Sequence, residues 1–196
     1  MVFGLPVCWL RTPFSNYLSK MIYEPAEDSF LIEKSVKQFA EGKSALDMGT
    51  GSGILAEVAL ATGAKSVLAV DVNQEAVNNV KQKGINTRHS DLFSNISEKF
   101  DLIIFNPPYL PKTKDEDAES EKITTGGTHG YEIIKKFLIQ ARAHLNPNGK
   151  ILILFSSLTG RERVDKILQE NNYKFKCLET NKLFFEELYV YETSID

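Results

Sequence analysis

The chain has 196 residues, a formal net charge of −3, 42% hydrophobic residues and 25% charged residues. This length suits one domain with a substantial core, and the composition is that of an ordinary soluble globular protein. The slight acidity argues against indiscriminate nucleic-acid binding, which normally needs a basic face, although it leaves room for a local basic patch.

The two cysteines, Cys8 and Cys177, follow no metal-ligand spacing and form no redox motif. We therefore expect thiols in a reducing compartment and no metal site. The first ten residues are apolar but lack the basic start and the small-residue cleavage site of a signal peptide. No apolar run approaches the roughly 20 residues that a membrane span needs. The sequence thus predicts a cytoplasmic protein that makes no membrane contact.

The first recognisable motif is Tyr23-Glu24-Pro25-Ala26-Glu27-Asp28-Ser29-Phe30. Pro25 suits the first turn of a helix, and the acids Glu27 and Asp28 favour the helix dipole there. We expect a helix that ends near residue 42, with an apolar side formed by Phe30, Leu31, Val36 and Phe39. Helix capping explains the two acids but does not explain Tyr23 or Pro25. The motif is therefore also a candidate functional segment.

From residue 44 onward, apolar runs of strand length alternate with helical patterns across short loops. The predicted strands are 44–48, 66–70, 84–90, 100–105, 150–155, 173–179 and 184–191. The predicted helices between them are 52–62, 74–83, 131–145 and 161–170. This alternation predicts a doubly wound α/β fold with a mostly parallel seven-stranded sheet and an antiparallel final strand. We expect one domain over residues 23–196, preceded by an N-terminal arm over residues 1–22.

A glycine-rich loop, Asp47-Met48-Gly49-Thr50-Gly51-Ser52-Gly53, follows the first strand. Alternate glycines allow positive φ angles and a close approach of a ligand, and the helix that follows presents unpaired N–H groups. The third glycine comes one residue too early for a dinucleotide-binding loop, and no phosphate-binding lysine follows it. A tight structural turn would also account for these glycines.

Acids also end the next two strands, since Asp71 follows the second strand and Asp91-Leu92 follows the third. Asp71 can accept both hydroxyls of a ribose, the Asp91 side chain or the Leu92 backbone can contact an adenine edge, and Asp47 can lie near an ammonium group. Strand ends of this kind face one crevice in a doubly wound sheet. The D-x-G-x-G-x-G loop resembles motif I of the seven-stranded methyltransferases and implies S-adenosyl-L-methionine as the cofactor.

The fourth strand ends in Asn106-Pro107-Pro108-Tyr109, hereafter the NPPY motif. The prolines stop the strand and stiffen the turn, which a purely structural role would also explain. The motif resembles the [D/N]-P-P-[Y/F/W] motif of methyltransferases that act on planar nitrogens. The Asn106 oxygen and the Pro107 carbonyl can accept the two N–H bonds of such a nitrogen, and Tyr109 can stack on its plane. Asn106, Pro107 and Tyr109 are the predicted catalytic residues, and Pro108 completes the predicted substrate site.

Two further segments narrow the choice of nitrogen. Residues 23–30 resemble the N-terminal signature of the archaeal and eukaryotic branch of the HemK/PrmC-like methyltransferases, and Gly126-Gly127-Thr128-His129-Gly130 matches the Gly-Gly-x-x-Gly segment of that branch. The resemblance implies methylation of the glutamine N5 in the Gly-Gly-Gln motif of a class I release factor. It implies cofactor contacts from Ser29, Asp47, Gly49, Asp71, Asp91 and Leu92. The loop glycines Gly51 and Gly53 complete the predicted cofactor site.

The resemblance also implies a small zinc-binding activator subunit as a partner. The alternative function is an adenine-N6 methyltransferase on DNA or RNA, against which stand the missing target-recognition domain and the missing basic stripe. A third alternative is a binding protein with a vestigial cofactor pocket. His129 is either an exposed loop residue or a substrate contact, and residues 112–122 form a charged, solvated loop to which the sequence assigns no role.

Overall fold

The computed structural model describes residues 26–111 and 125–195. The predicted arm over residues 1–22, the start of the first motif at Tyr23 and the charge run over residues 112–122 lie outside these described residues. Within them, no helix is both long enough and apolar enough to cross a membrane.

A seven-stranded sheet forms the centre of the described part of the chain, with the strand order β3-β2-β1-β4-β5-β7-β6. The strands are β1 Ser44–Met48, β2 Ser66–Asp71, β3 Asn86–His89, β4 Phe100–Phe105, β5 Leu145–Ser156, β6 Tyr173–Lys182 and β7 Glu187–Ile195. The α-helices are α1 Glu27–Phe39, α2 Ile54–Ala61, α3 Gln74–Gln82, α4 Glu132–Ala141 and α5 Arg161–Glu170. Short 3-10 turns at Arg142–His144 and Ser157–Thr159 precede and follow β5.

Strands β1 to β5 pair in parallel, and β7 runs antiparallel between β5 and β6. This arrangement confirms the predicted fold class. The strand order reverses direction between β1 and β4, because the chain first builds outward to β3 and then returns to the other side of β1. In doubly wound sheets such a reversal opens a crevice at the carboxyl ends of the strands, which is where ligands bind.

The central strands are buried on both faces, which is why they read as nearly continuous apolar runs. In β4, Ile103 and Phe105 join the hydrophobic cluster on one face of the sheet, whereas Leu102 and Ile104 join the cluster on the other face. Each central strand therefore ties the two helical layers together and holds its carboxyl end in a fixed position.

The prediction that Phe30 lies on the apolar side of the first helix is wrong, since Phe30 is 54% exposed. The buried stripe of α1 includes Asp28, Leu31, Ile32 and Val36. Phe30 is two residues from both Asp28 and Ile32, so a helix turns it roughly 200° away from either residue. The stripe brings Asp28 inward in its place.

Other boundaries differ by a few residues. The third strand keeps only Asn86–His89, and the helix predicted over 131–145 ends as an α-helix at Ala141 and continues as a 3-10 turn. The sequence Asn146-Pro147-Asn148-Gly149 predicts a turn, but these residues belong to β5, because Leu145 already pairs with Phe100 before a register shift.

Candidate active site

A cleft of about 1170 Å³ lies at the carboxyl ends of the parallel strands. Its walls come from the loops after β1, β2, β3 and β4, from the first turn of α1 and from the start of α4. The predicted site residues that line it are Ser29, Gly49, Gly51, Asp71, Asp91, Leu92, Asn106, Pro107, Pro108 and Tyr109. Two predicted cofactor residues, Asp47 and Gly53, are not part of the lining.

Asp47 lies beneath the glycine-rich loop and is 1% exposed. Its Oδ2 accepts hydrogen bonds from the Thr50 hydroxyl at 2.6 Å and from the Ala56 N–H at 3.1 Å. Burial raises the pKa of Asp47 to about 7, although the two hydrogen bonds act against that shift. The carboxylate faces inward because donors of its own loop and of α2 hold it there. The structure therefore shows Asp47 bracing the loop, and its expected place near a ligand's ammonium group stays a prediction.

Gly53 likewise serves packing between helices. It adopts φ +88°, and a Cβ at this position would approach the Val80 side chain on α3 to 2.8 Å. A side chain at this position would force the Val80 side chain to shift, so the glycine allows the N-terminus of α2 to pack closely against α3. Gly49 and Gly51, in contrast, line the cleft with their backbone.

Asp71 joins the end of β2 to the glycine-rich loop. Its Oδ2 accepts from the Gly51 N–H at 2.9 Å, and its Oδ1 accepts from the Asn73 N–H at 2.8 Å. Burial raises the pKa of this carboxyl, and the backbone hydrogen bonds oppose the shift. Each carboxylate oxygen can accept more than one hydrogen bond, so both can still bind ligand hydroxyls.

The loop after β3 brings Asp91 and Leu92 to the wall of the cleft. Asp91 is exposed and pairs with the Lys136 ammonium at 3.1 Å. Leu92 adopts a left-handed backbone with φ +48°, and its carbonyl accepts from the Ser90 hydroxyl at 2.6 Å. A leucine rarely takes this conformation, so the surrounding hydrogen bonds hold a strained backbone against the cleft.

The NPPY motif places its polar groups against α1 and the cleft. Asn106 Nδ2 donates to Asp28 Oδ2 at 3.1 Å, and the Tyr109 hydroxyl lies 3.5 Å from the same oxygen. Asn106 Oδ1 is buried, and no donor among the residues that the structure describes reaches it. A buried acceptor without a partner costs about 1–3 kcal/mol, so this oxygen is suited to receive an N–H from a ligand.

The second glycine-rich loop, over residues 126–130, packs on the backbone of the NPPY motif. A Cβ at Gly126 would lie 2.6 Å from the Pro108 carbonyl oxygen, and a Cβ at Gly130 would lie 2.4 Å from the Tyr109 carbonyl oxygen. The Gly126 N–H also donates to the Leu110 carbonyl at 2.9 Å. Glycine is therefore required for this contact, and the loop fixes the position of the substrate motif.

His129 does not line the cleft. Its backbone N–H and its Nδ1 both bond the Glu132 carboxylate, and its side chain is 65% exposed. These contacts place it at the start of α4 as an exposed loop residue.

A family model for the methyltransferase small domain matches residues 27–185. The chain belongs to this methyltransferase family. A protein of Methanocaldococcus jannaschii, provisionally named a protein N5-glutamine methyltransferase, is 38% identical over 86% of this chain and 89% of its own length. The human methyltransferase HEMK2 is 29% identical over 81% of this chain and 84% of its own. Together these matches confirm the resemblance to HemK-type methyltransferases.

Solved structures agree with the family and the fold. Mtq2 of E. cuniculi, in a complex with Trm112 described as responsible for methylation of the termination factor eRF1, superposes with a TM-score of 0.74. It is 28% identical, and the match covers 89% of this chain and 98% of Mtq2. This methyltransferase thus shares the Rossmann-like methyltransferase fold with Mtq2 over nearly the whole length of Mtq2.

Sequence reasoning missed Asp28 as a site residue of this methyltransferase. Asp28 is 4% exposed, lines the cleft and bonds two members of the site, Ser29 and Asn106. A negative charge is common at the start of a helix, so the residue type gives no separate indication of its contact with Asn106. The available signal was its spacing, since Asp28 precedes Leu31 and Ile32 by three and four residues and so belongs to the stripe that faces the core.

Proposed function

We propose that this methyltransferase transfers a methyl group from S-adenosyl-L-methionine to the glutamine N5 in the Gly-Gly-Gln motif of a class I release factor. The observation that carries the proposal is the buried Asn106 Oδ1 at the wall of the cleft, for which the described residues offer no donor. A primary amide supplies such a donor. The M. jannaschii relative, named for glutamine N5, and Mtq2, described with eRF1, support a protein glutamine as the target.

The residues of the cleft fit the cofactor. The Asp71 carboxylate could accept the ribose hydroxyls, the backbone of Gly49 and Gly51 would allow close approach, and the Leu92 backbone, which also lines the cleft, could contact the base. Ser29 at the start of α1 also lines the cleft. Once bound, S-adenosyl-L-methionine supplies an electrophilic methyl group on a sulfonium centre. The part of the protein is to hold that ligand and to exclude water from the reacting atoms.

Asn106 would orient the acceptor nitrogen. An amide nitrogen is a poor nucleophile because its lone pair is delocalised into the carbonyl group. When Asn106 Oδ1 and the Pro107 carbonyl accept its two N–H bonds, the lone pair points out of the amide plane toward the methyl group. The alkylated nitrogen carries positive charge until it loses a proton, and the two acceptor oxygens stabilise that charge. Tyr109 would stack against the planar amide.

We extend the proposal to a partner and a location. Mtq2 is described in a complex with Trm112, so we propose a small activator subunit of this kind, with the zinc-binding character that the family resemblance implies. We also propose action in the cytoplasm. A nucleobase is the less favoured substrate, since the M. jannaschii relative is named for glutamine N5 and Mtq2 is described with eRF1.

The test is mass spectrometry of a class I release factor after incubation with labelled cofactor, with and without the small subunit. We expect one added methyl group on the glutamine of the Gly-Gly-Gln motif. A release factor with that glutamine replaced by alanine is the control and should stay unlabelled. Labelling of the control, or no labelling of the native factor when the small subunit is present, would contradict the proposal.

A further inference from the structure

We propose that Asp28 is a positioning residue that holds the Asn106 amide with its oxygen toward the substrate. The inference rests on the proposed function, because it assigns Asn106 Oδ1 to the acceptor nitrogen. It extends the site from the NPPY motif to a residue 78 positions earlier in the chain. It also gives a physical task to the acidic part of the first motif, which helix capping had seemed to explain.

An asparagine side-chain amide can point in two ways. Turning the amide by half a rotation exchanges its oxygen and its NH₂ group while the shape stays nearly the same. Only one orientation serves a substrate nitrogen, because the other presents a donor to a donor. Asn106 therefore needs a neighbour that distinguishes the two.

Asp28 provides that distinction. An ionised carboxylate only accepts hydrogen bonds, so the group that faces its Oδ2 at 3.1 Å must be the Asn106 NH₂. The reverse orientation would bring the amide oxygen against the carboxylate oxygen inside a buried site. With the NH₂ group committed to Asp28, Oδ1 is left for the cleft, which agrees with its lack of a donor among the described residues.

Asp28 is itself held in place. It lies in the first turn of α1, where the helix dipole favours negative charge, and its Oδ1 accepts from the Ser29 N–H at 2.6 Å. It is 4% exposed, so water does not compete strongly for its oxygens. The Tyr109 hydroxyl lies 3.5 Å from the same Oδ2 that binds Asn106. One carboxylate thereby reaches both polar side chains of the NPPY motif.

The decisive variant is Asp28→Asn, which keeps the shape and removes the acceptor-only character. Its amide has one oxygen to share between the Ser29 N–H and the Asn106 NH₂, so the orientation of Asn106 is no longer fixed. We expect turnover of the release factor to fall by about a hundredfold, the usual cost of one misplaced transition-state donor or acceptor. The apparent KM for the release factor should change far less than kcat.

Glu27→Gln is the matched control. It removes the same charge from the same helix turn, but Glu27 is exposed and lies outside the cleft. Turnover by Glu27→Gln should stay close to that of the wild type. A second control is the double variant Asp28→Asn with Asn106→Ala. Without the amide there is nothing to orient, so the double variant should be no slower than Asn106→Ala alone.

A readout that does not depend on turnover is the ¹⁵N-resolved NMR signal of the Asn106 side-chain NH₂, assigned by its loss in Asn106→Ala. In the wild type we expect one of the two protons to be shifted downfield and protected from exchange with water. This measurement needs no variant of Asp28 and so remains informative if Asp28→Asn folds poorly. Rapid exchange of both protons in the wild type would overturn the inference.

The outcomes separate this inference from the proposed function. If the wild type labels no glutamine of the release factor, the proposed function fails, while the NMR signal still tests the contact between Asp28 and Asn106. If the wild type is active and Asp28→Asn is as active as Glu27→Gln, the positioning role of Asp28 is refuted and the proposed function stands.

Discussion

The glycine-rich loop after β1 and the NPPY motif after β4 begin side by side, since Met48 and Phe105 are paired in the sheet. Their polar groups are satisfied differently. In the loop, the buried carboxylate of Asp47 is bonded by Thr50 and Ala56, within the same stretch of chain. In the NPPY motif, the Asn106 NH₂ is bonded to Asp28 on a distant helix, while its oxygen has no donor in the part of the chain that the structure describes.

This difference corresponds to two tasks. A large cofactor makes many contacts, so a preformed site can bind it without depending on any single contact. A small planar amide offers only a few contacts, and its reaction depends on the direction in which one nitrogen points. We therefore expect substitutions around the NPPY motif to reduce turnover strongly, and substitutions around the loop to have smaller effects on affinity or stability.

The largest effect is expected for Asn106→Ala. Loss of one preorganised acceptor typically costs roughly 3 kcal/mol in the transition state, which is about a hundredfold in rate. The affinity for the cofactor should stay nearly unchanged, because the cofactor residues belong to the neighbouring strands. Single-turnover kinetics and calorimetric titration with the cofactor measure the two quantities. Normal turnover at saturation together with much weaker cofactor binding would show that Asn106 contacts the cofactor and not the substrate nitrogen.

The next largest effect is expected for Gly130→Ala, with Gly84→Ala as its matched control. Both glycines have similar φ angles, +86° and +80°, but a Cβ at Gly130 meets the Tyr109 carbonyl oxygen and a Cβ at Gly84 meets nothing within 4 Å. Left-handed backbone strain alone costs about 1 kcal/mol, so Gly84→Ala should lose that much stability and keep its activity. Gly130→Ala should lose at least about twice as much and reduce turnover as well.

Urea denaturation and steady-state kinetics on the two variants test this pair. Equal losses of stability with full activity in both would mean that the loop over residues 126–130 does not fix the NPPY motif.

The two regions also differ in how far the sequence could predict them. The bounds of β1 and β4 and the last helix agree with the structure residue by residue, because apolar runs and turn signals define them locally. The glycine-rich loop was likewise predictable as a ligand-facing turn. What could not be read locally was which acid faces the ligand and which braces the loop. Asp47 and Asp71 both end strands, and only the donors around each carboxylate separate them.

The substrate half was less predictable for a related reason. The contact between Asp28 and Asn106 joins residues 78 positions apart, and no local pattern indicates such a pairing. Helix capping is a sufficient explanation for an acid at position 28, so the residue type alone does not indicate that Asp28 is buried. The predicted apolar side of α1 is rotated relative to the observed buried stripe. Phe30 is exposed because the stripe that contains Leu31 and Ile32 turns it outward.

A moderate effect on the cofactor side is expected for Asp71→Asn. The variant replaces the charged Asp71 acceptor with a neutral amide, so the proposed hydrogen bonds from the ribose hydroxyls lose about 2 kcal/mol. The Kd for the cofactor should therefore rise roughly thirtyfold. Asp91→Asn is the comparison at the neighbouring strand end, where either this side chain or the Leu92 backbone is expected to contact the adenine edge. Asp91 is exposed and paired with Lys136, so its charge contributes little and the Kd should change by less than about threefold. Calorimetric titration measures both, and equal effects would remove the distinction between the two acids.

The smallest effect concerns Asp47 and tests whether the loop is braced from within. Its pKa is raised from 3.8 to about 7, so the folded protein retains a proton that the unfolded chain releases. The stabilising contribution of the protonated carboxyl is therefore present at low pH and is lost as the pH rises through about 7. Asp47→Asn should fold, because both hydrogen bonds fall on one oxygen that an amide can supply.

From about pH 6 to about pH 8, the free energy of unfolding of the wild type should fall by roughly 1 kcal/mol relative to Asp47→Asn. Asp101→Asn is the control with the opposite sign, since hydrogen bonds from Ser44 and Asn146 lower the pKa of Asp101. Its contribution is lost only as the pH falls into the acidic range, so between about pH 6 and about pH 8 its difference from the wild type should be constant. Urea denaturation at the two pH values checks both variants. A constant difference for Asp47→Asn would mean that the Asp47 carboxyl does not change its protonation state on folding over this pH range.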